Sequence, residues 1–248
     1  MFETILNPIF GPLLRMPILW SIIIVSFVIA LIVTLVYKWM TDQTLMKALK
    51  DDIKGFQKEM KEFKQDPKKV MEIQKKAMET NMKYMMHSFK PTLITFIPII
   101  IIFGWMHANL AYEPIMPGQE FTTTVFFDQV TGGTIEIIVP ENIELLSNAT
   151  QEIQDNKATW ALKGSEGEYL LEYTFNEQTY NKELLITNQQ AYKQPVKNIK
   201  QDNIKIIQID NTKIRPLNLF GWQLGWVGTY IIFSIIFSMV LRKLMKLH

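Results

Sequence analysis

The chain has 248 residues, 48% of them hydrophobic, with no cysteine and a formal net charge of +2. Those averages would suit one or two soluble domains, but charged residues are absent from 18–37, 92–110 and 217–241, and each run approaches the roughly 20 residues a helix needs to cross a bilayer core. A soluble globular protein is therefore excluded, as is a large polytopic transporter, and the lack of cysteine excludes disulfide scaffolds, thiolate metal sites and thiol catalysis.

In chain order, residues 1–17 are apolar and carry Pro8, Pro12 and Pro17, which prevent one long helix. The segment reads as a short stretch lying in the outer membrane interface. Residues 18–37 form the first predicted span, closed by the interfacial anchors Tyr37, Lys38 and Trp39. It begins too late, and lacks the small-residue cleavage site before Lys38, to read as a cleaved signal peptide; it reads as a signal anchor or plain span.

Residues 38–90 are predicted to form a helical hairpin. Leu45, Leu49, Ile53, Phe56, Met60 and Phe63 recur at the spacing of one helical face. Gln65-Asp66-Pro67 then pairs a good N-cap with a good first helical residue, so one helix stops near Lys64 and another starts at Pro67. The second arm carries Val70, Met71, Ile73, Ala77, Met78, Met82, Met85 and Met86. Two helices between adjacent spans must fold back antiparallel, each reaching about 35 Å from the membrane at 1.5 Å per residue.

Residues 91–111 are the second predicted span, with Pro98 and Gly104 inside it, both tolerated in membrane helices. Residues 112–216 change character. Runs 120–127, 134–139, 157–163, 168–175, 179–186 and 204–209 are rich in Thr, Val, Ile, Phe and Tyr, and are punctuated by Gly132-Gly133, Pro140, Gly164 and Asn176-Glu177. Short strands at this spacing read as a sandwich of antiparallel sheets, with Trp160, Tyr169, Leu171 and Tyr173 facing inward. Residues 217–241 are the third predicted span, opened by Trp222 and Trp226, and 242–248 a basic tail. The fold class is thus a helical membrane protein with three spans, a hairpin between the first two, and an inserted all-β domain before the third.

Charge sets the expected orientation. Residues 38–90 hold 13 Lys against 8 Asp and Glu, net +5; residues 111–217 hold 9 Lys and Arg against 15 Asp and Glu, net −6; the tail adds Arg242, Lys243 and Lys246. Basic residues retain short loops in the cytosol, so the hairpin and C-terminus are expected inside, and the N-terminus and β domain outside, as a multi-pass protein of the plasma membrane.

Three spans with a basic hairpin between the first two resemble the conserved core of the YidC/Oxa membrane insertase superfamily, and most of all its archaeal YidC-like members, relatives of subunit three of the eukaryotic endoplasmic reticulum membrane complex. The residues carrying the resemblance are Gln65-Asp66-Pro67-Lys68-Lys69, the Met-rich second arm, Phe89-Lys90-Pro91-Thr92, Phe96-Ile97-Pro98-Ile99, Phe103-Gly104-Trp105-Met106, and the stretch from Trp226 to Lys243. The resemblance covers about residues 15–112 and 217–248. The β domain departs from it, since the family core has only a short loop there, and the first span lacks the intramembrane Arg of bacterial relatives. It implies an insertase or chaperone, not an enzyme, that helps short-tailed transmembrane segments enter the bilayer through a polar groove open to cytosol and lipid.

Residues suited to such a groove can be picked by depth. Thr34, Thr95, Ser234 and Ser238 lie roughly 6–12 Å inside the basic span ends at 1.5 Å per residue, with Tyr37 at the border, so every span offers a hydroxyl at matching depth. Ser and Thr also simply pack helices. Met60, Met71, Met78, Met82, Met85 and Met86 suit capture of varied apolar clients, although a hairpin needs an apolar seam anyway. The expected partners are nascent membrane proteins and lipids, with the ribosome and a partner subunit as further candidates; the hairpin lysines suit ribosomal RNA, anionic lipid or plain solvent. No cofactor or metal is expected: His87, His107 and His248 lack ligand spacing, and no phosphate-binding or hydrolase motif occurs. Asn148-Ala149-Thr150 is a lone glycosylation triplet. The rival reading is a surface receptor or adhesion protein, in which the β domain binds a ligand and the hairpin relays it. An ion channel has little support, because the spans carry no acidic ring.

Overall fold

The computed structural model describes residues 2–130 and 132–247; Met1, Thr131 and His248 lie outside the described residues. Five α-helices occur among them: α1 Phe2–Phe10, α2 Ile18–Met40, α3 Gln43–Glu62, α4 Pro67–Leu110 and α5 Trp226–Leu244. Of these, α2, α4 and α5 are long and apolar enough to cross a membrane. The chain divides into two compact units, Met1–Ile18 with Gly104–Trp226, and Leu19–Phe103 with Val227–His248.

The second of these is helical. Asp42 caps α3, its Oδ1 accepting from the backbone N–H groups of Thr44 and Leu45 at 2.9 and 3.1 Å. Asp66 does the same for α4, accepting from Lys69 N at 3.2 Å, and Pro67 occupies the first helical position, where a missing N–H is harmless. The Lys69 ammonium lies 4.7 Å from the centre of the Phe63 ring across the turn. On the inward side of the two arms, Met46, Leu49 and Ile73 are buried, and Ile53, Phe56, Met60, Val70, Ala77, Thr80, Tyr84 and Ser88 are half-buried. These positions follow the 3–4 spacing of one face on each helix.

Three boundaries differ from the sequence expectation. The first span runs three residues further, to Met40. The segments 38–90 and 91–111 are not separate elements at their shared boundary: α4 is one 44-residue helix containing both Pro91 and Pro98, about 66 Å long at 1.5 Å per residue. Each proline removes one N–H from the ladder. Beside Pro91, the hydroxyls of Thr92 and Thr95 donate to the carbonyls of Ser88 and Pro91 at 2.9 and 3.1 Å, adding side-chain bonds where the ladder is weakened. The third correction concerns 217–225. Those residues are uncharged but not helical, and α5 starts at Trp226. They form a β-hairpin described below.

The other unit is built on two antiparallel sheets. Strand β1 is Glu120–Phe127, β2 Thr134–Ile138, β3 Ile143–Leu145, β4 Thr150–Glu152, β5 Lys157–Gly164, β6 Gly167–Phe175, β7 Gln178–Ile186, β8 Val196–Gln201 and β9 Ile204–Ile209. One sheet has the order β3-β5-β1-β9-β8, the other β4-β2-β6-β7. Alternation along β5 and β6 turns Trp160, Leu162, Leu171 and Tyr173 fully inward, while Tyr169 is half-buried and packs against this core. The Trp160 and Tyr173 rings meet edge to face at 5.6 Å. Burial would penalise their polar atoms, but Trp160 Nε1 donates to Ala149 O at 2.8 Å and the Tyr173 hydroxyl pairs with Thr123 Oγ1 at 2.6 Å, joining the two sheets. Burial raises the Tyr173 phenol well above its ordinary value.

Residues of α1 and the end of α4 belong to the same unit. Pro8 lies within α1, a 3₁₀ turn Gly11–Arg15 follows, and no single long helix forms. Trp105 Nε1 donates to Asn7 Oδ1 at 2.8 Å, and the Phe10 and Trp105 rings sit 5.3 Å apart. Tyr192 ties the β7–β8 connection to the helix end: its hydroxyl accepts from Ala111 N at 3.0 Å and donates to His107 O.

At the β7 edge, Lys182 is only 3% exposed. Its ammonium donates to the carbonyls of Glu183 and Gln194 at 2.9 and 2.6 Å, and Lys197 donates to Asn181 O at 2.7 Å. Lysines thus occupy edge carbonyls that would otherwise be free to pair with another strand. Burial pulls the Lys182 ammonium down from 10.5 to about 8. Between those two values the unfolded chain keeps a proton that the folded chain has released, so this residue makes stability rise with pH through that window and contributes no slope below it. Thermal unfolding of wild type and Lys182→Met across pH 7 to about 10.5 checks this: the wild type should gain stability relative to the variant as pH rises, and parallel curves would remove the assignment.

Candidate functional site

The helical unit assembles its polar groups from three spans. On α2 the buried positions are Ser21, Ile22, Val25, Ser26, Ile29, Ala30, Thr34 and Tyr37, a stripe of 3–4 spacing with hydroxyls spread along it. Ser26 and Thr34 each donate to the carbonyl four residues back, at 2.6 Å. Thr95 on α4 is buried and donates to Pro91 O and Thr92 O. Ser234 on α5 is half-buried and donates to Ile231 O at 3.0 Å; Ser238 is half-buried on the same helix. In a medium without water such back-bonding satisfies the hydroxyl proton, while the oxygen lone pairs keep the site polar.

Contacts bring all three spans together. Phe27 of α2 meets Phe237 of α5 edge to face at 5.4 Å, and Phe103 of α4 meets Tyr230 of α5 at 4.7 Å. Near the hairpin end of the spans lies a group of polar side chains. Tyr37 is buried, its hydroxyl lies beside those of Ser88 and Tyr84 on α4, and the Arg242 guanidinium of α5 stands 5.0 Å from the centre of its ring. That distance is within the range of cation–π attraction. Among the residues selected by depth, Tyr37 is therefore brought into a multi-helix cluster, whereas Thr34, Thr95 and Ser234 turn their hydroxyl protons onto their own helices. Tyr84, Ser88 and Arg242 are the members that depth counting missed. Tyr84 and Ser88 share a helical face at i, i+4, which is the signal that could have found them; Arg242 counted only as a topology anchor.

The methionines divide as well. Met60 is half-buried on the inward side of α3. Met71, Met78, Met82, Met85 and Met86 are all more than half exposed, from 55% at Met82 to 71% at Met71. Their row continues without interruption through Phe89, Leu93, Phe96, Ile97 and Ile100, also exposed on α4. From Met78 onward one apolar stripe at steps of three and four residues thus runs along the helix from hairpin arm into span, with Met71 on the same face two turns earlier, beyond Gln74 and Lys75. Among the described residues no group of three or more His, Asp or Glu could hold a metal.

A model of the family described as integral membrane protein EMC3/TMCO1-like matches residues 4–137, more than half of the chain. The chain belongs to the EMC3/TMCO1-like family. The family lies in the YidC/Oxa1/Alb3 superfamily, so this EMC3/TMCO1-like chain is a multi-pass integral membrane protein, and its membership is consistent with membrane insertase function in general. The matched stretch starts within α1, contains α2 through α4 and ends within β2. No curated protein and no solved structure matches the chain.

Proposed function

We propose that this protein is a non-enzymatic insertase of archaeal YidC-like type, which receives nascent short-tailed transmembrane segments on the exposed face of α4 and passes their polar tails through a groove lined by Thr34, Tyr37, Thr95, Ser234 and Ser238. In this reading the hairpin and the Arg242 end face the cytosol of the plasma membrane, and the β-rich unit lies outside. The observation that carries it is the meeting of Tyr37, Tyr84, Ser88 and Arg242 from helices α2, α4 and α5, at the hairpin end of the spans, where the exposed methionine row enters the membrane-crossing part of α4.

The physical task is to lower a desolvation barrier. Each unpaired polar group costs several kcal/mol in hydrocarbon. Hydroxyl oxygens, a phenol and a guanidinium within the inner leaflet supply partners along the way, while the client's apolar segment stays on methionine and then on lipid. No bond is made or broken. The scheme needs neither a partner subunit nor a fixed role for the hairpin lysines, whether these meet solvent, anionic lipid or ribosomal RNA.

The test uses photo-crosslinkable residues at Met82 and Ser234 in the full chain during synthesis of a short-tailed client. Adducts to the client at both positions are expected, appearing at Met82 first. Lipid adducts alone at both positions would sink the proposal. Removing 119–210 separates it from the receptor reading: insertion should persist, whereas a phenotype confined to lost binding of an outside partner would favour a receptor.

A further inference from the structure

The uncharged stretch before α5 holds a feature that the proposed insertion path leaves unused. Strands β10 Leu217–Leu219 and β11 Trp222–Leu224 pair antiparallel with Leu219 opposite Trp222, leaving the two-residue turn Phe220-Gly221. Both turn residues have positive φ, 51° and 93°, as the tight turns that match strand twist require. Asn218 Oδ1 accepts from Gly221 N at 3.0 Å and holds the turn closed. Glycine suits that geometry, but a bulky aromatic there is an unusual residue held in a sparsely populated region. Phe220 is fully exposed at 106%, Trp222 is 77% exposed, and Leu219 is exposed beside them. The root of the hairpin is basic: Arg215 Nη1 donates to Gln223 Oε1 at 3.0 Å, and Lys213 precedes it.

We propose that this hairpin inserts its tip, Leu219, Phe220 and Trp222, into the lipid interface next to the N-terminal end of α5, as a membrane anchor separate from the spans. Connectivity supports lipid as the occupant. The membrane-crossing helix α5 starts two residues after β11 ends, and a three-residue strand reaches only about 10 Å at roughly 3.3 Å per residue, so the tip cannot leave the neighbourhood of the bilayer surface. An apolar aromatic tip above cationic side chains has the chemistry of the headgroup boundary, where Trp and Phe sit at the acyl edge and Arg and Lys meet phosphates. The depth is limited by the backbone. A two-stranded ribbon has unpaired N–H and C=O groups on both edges, which hydrocarbon does not satisfy, so the tip stays at interfacial depth. A protein partner is the weaker candidate, because three side chains of at most about 250 Å² each cover less surface than the roughly 800 Å² per partner of a stable interface.

The absence of native cysteine makes the test clean. The full chain carrying Phe220→Cys is labelled with an environment-sensitive nitrobenzoxadiazole dye and reconstituted into nanodiscs of phosphatidylcholine and phosphatidylglycerol. Glu141→Cys, on an exposed turn of the β-rich unit, serves as the water-exposed reference. The expected result is an emission shift to shorter wavelength at 220 relative to 141, with quenching by lipids spin-labelled near the headgroup and little quenching by aqueous iodide. Emission and iodide quenching at 220 equal to those at 141 would overturn the proposal, as would quenching only by lipids labelled at the chain ends. Trp222→Cys, labelled in the same way, carries the test if the Phe220 variant does not fold.

Discussion

Replacing Met78, Met82, Met85 and Met86 together by serine should abolish most client crosslinking while leaving the helices in place. These side chains are exposed in the free protein, so their removal creates no cavity and folding is spared. What is lost appears only when a client covers them. Full burial of a Met side chain is worth about 1.5–3 kcal/mol, and part of that is offset by ordering the flexible side chain. Even at ~0.5 kcal/mol each, four positions give about 2 kcal/mol, a loss of roughly thirtyfold in client occupancy. Nascent-chain crosslinking at a probe retained elsewhere on α4, quantified against wild type, reads this directly. Leucine at the same four positions should restore much of the signal, because apolar area is kept. If serine and wild type capture client equally, the exposed row is not a binding face.

The second large effect belongs to the β-rich unit. Trp160 is fully buried between the sheets, with its indole N–H spent on Ala149 O. Trp160→Ala removes the largest side chain of that core and leaves Ala149 O with only its backbone bond from Ile137 N at 3.0 Å; core substitutions of this kind cost about 3–5 kcal/mol. In a unit of this size that is a large share of the 5–15 kcal/mol that typically separates folded from unfolded. Thermal unfolding followed by near-ultraviolet circular dichroism should show a transition lowered by many degrees or lost. Tyr173→Phe isolates the polar part: it leaves Thr123 Oγ1 still able to donate to Gln208 O at 3.0 Å, so its cost should be about 1 kcal/mol. With no cysteine to staple it, the unit depends on this core alone.

The strands that alternate were legible in the sequence. Runs such as Lys157–Gly164 and Gly167–Phe175 place apolar residues at every second position because one face is buried. Three strands of the two larger sheets were not. Ile143–Leu145 and Thr150–Glu152 are too short to show a period, and Val196–Gln201 is an exposed edge whose Lys197, Asn198 and Lys200 carry no apolar alternation. The start of the third span was misplaced because hydropathy counts charges and ignores turn chemistry: Asn218 and Gly221 mark a tight turn inside an uncharged run. The seam between hairpin and second span was not readable either, because the helix runs straight through Pro91; Thr92 and Thr95 bond the Ser88 and Pro91 carbonyls, close to the His87 carbonyl that lacks its ladder donor. For the candidate site, distance to the basic ends orders residues along each span, but it does not give the direction a side chain takes. Thr34 and Tyr37 lie three residues apart, yet only Tyr37 reaches the other two helices.

The continuity of α4 through Pro91 and Pro98 has a mechanical meaning. Because arm and span are turns of one screw, the exposed row from Met71 to Ile100 keeps a fixed angular phase: each residue advances it by about 100° and 1.5 Å. Adding or removing a single residue near Lys90 would therefore swing the methionines about a quarter turn away from Phe96, Ile97 and Ile100. An insertion of seven residues would nearly restore the alignment, since two turns of helix take about 7.2 residues. The protein thus holds its two apolar faces in register without a joint, and a client that follows the row from Met71 to Ile100 meets no angular step.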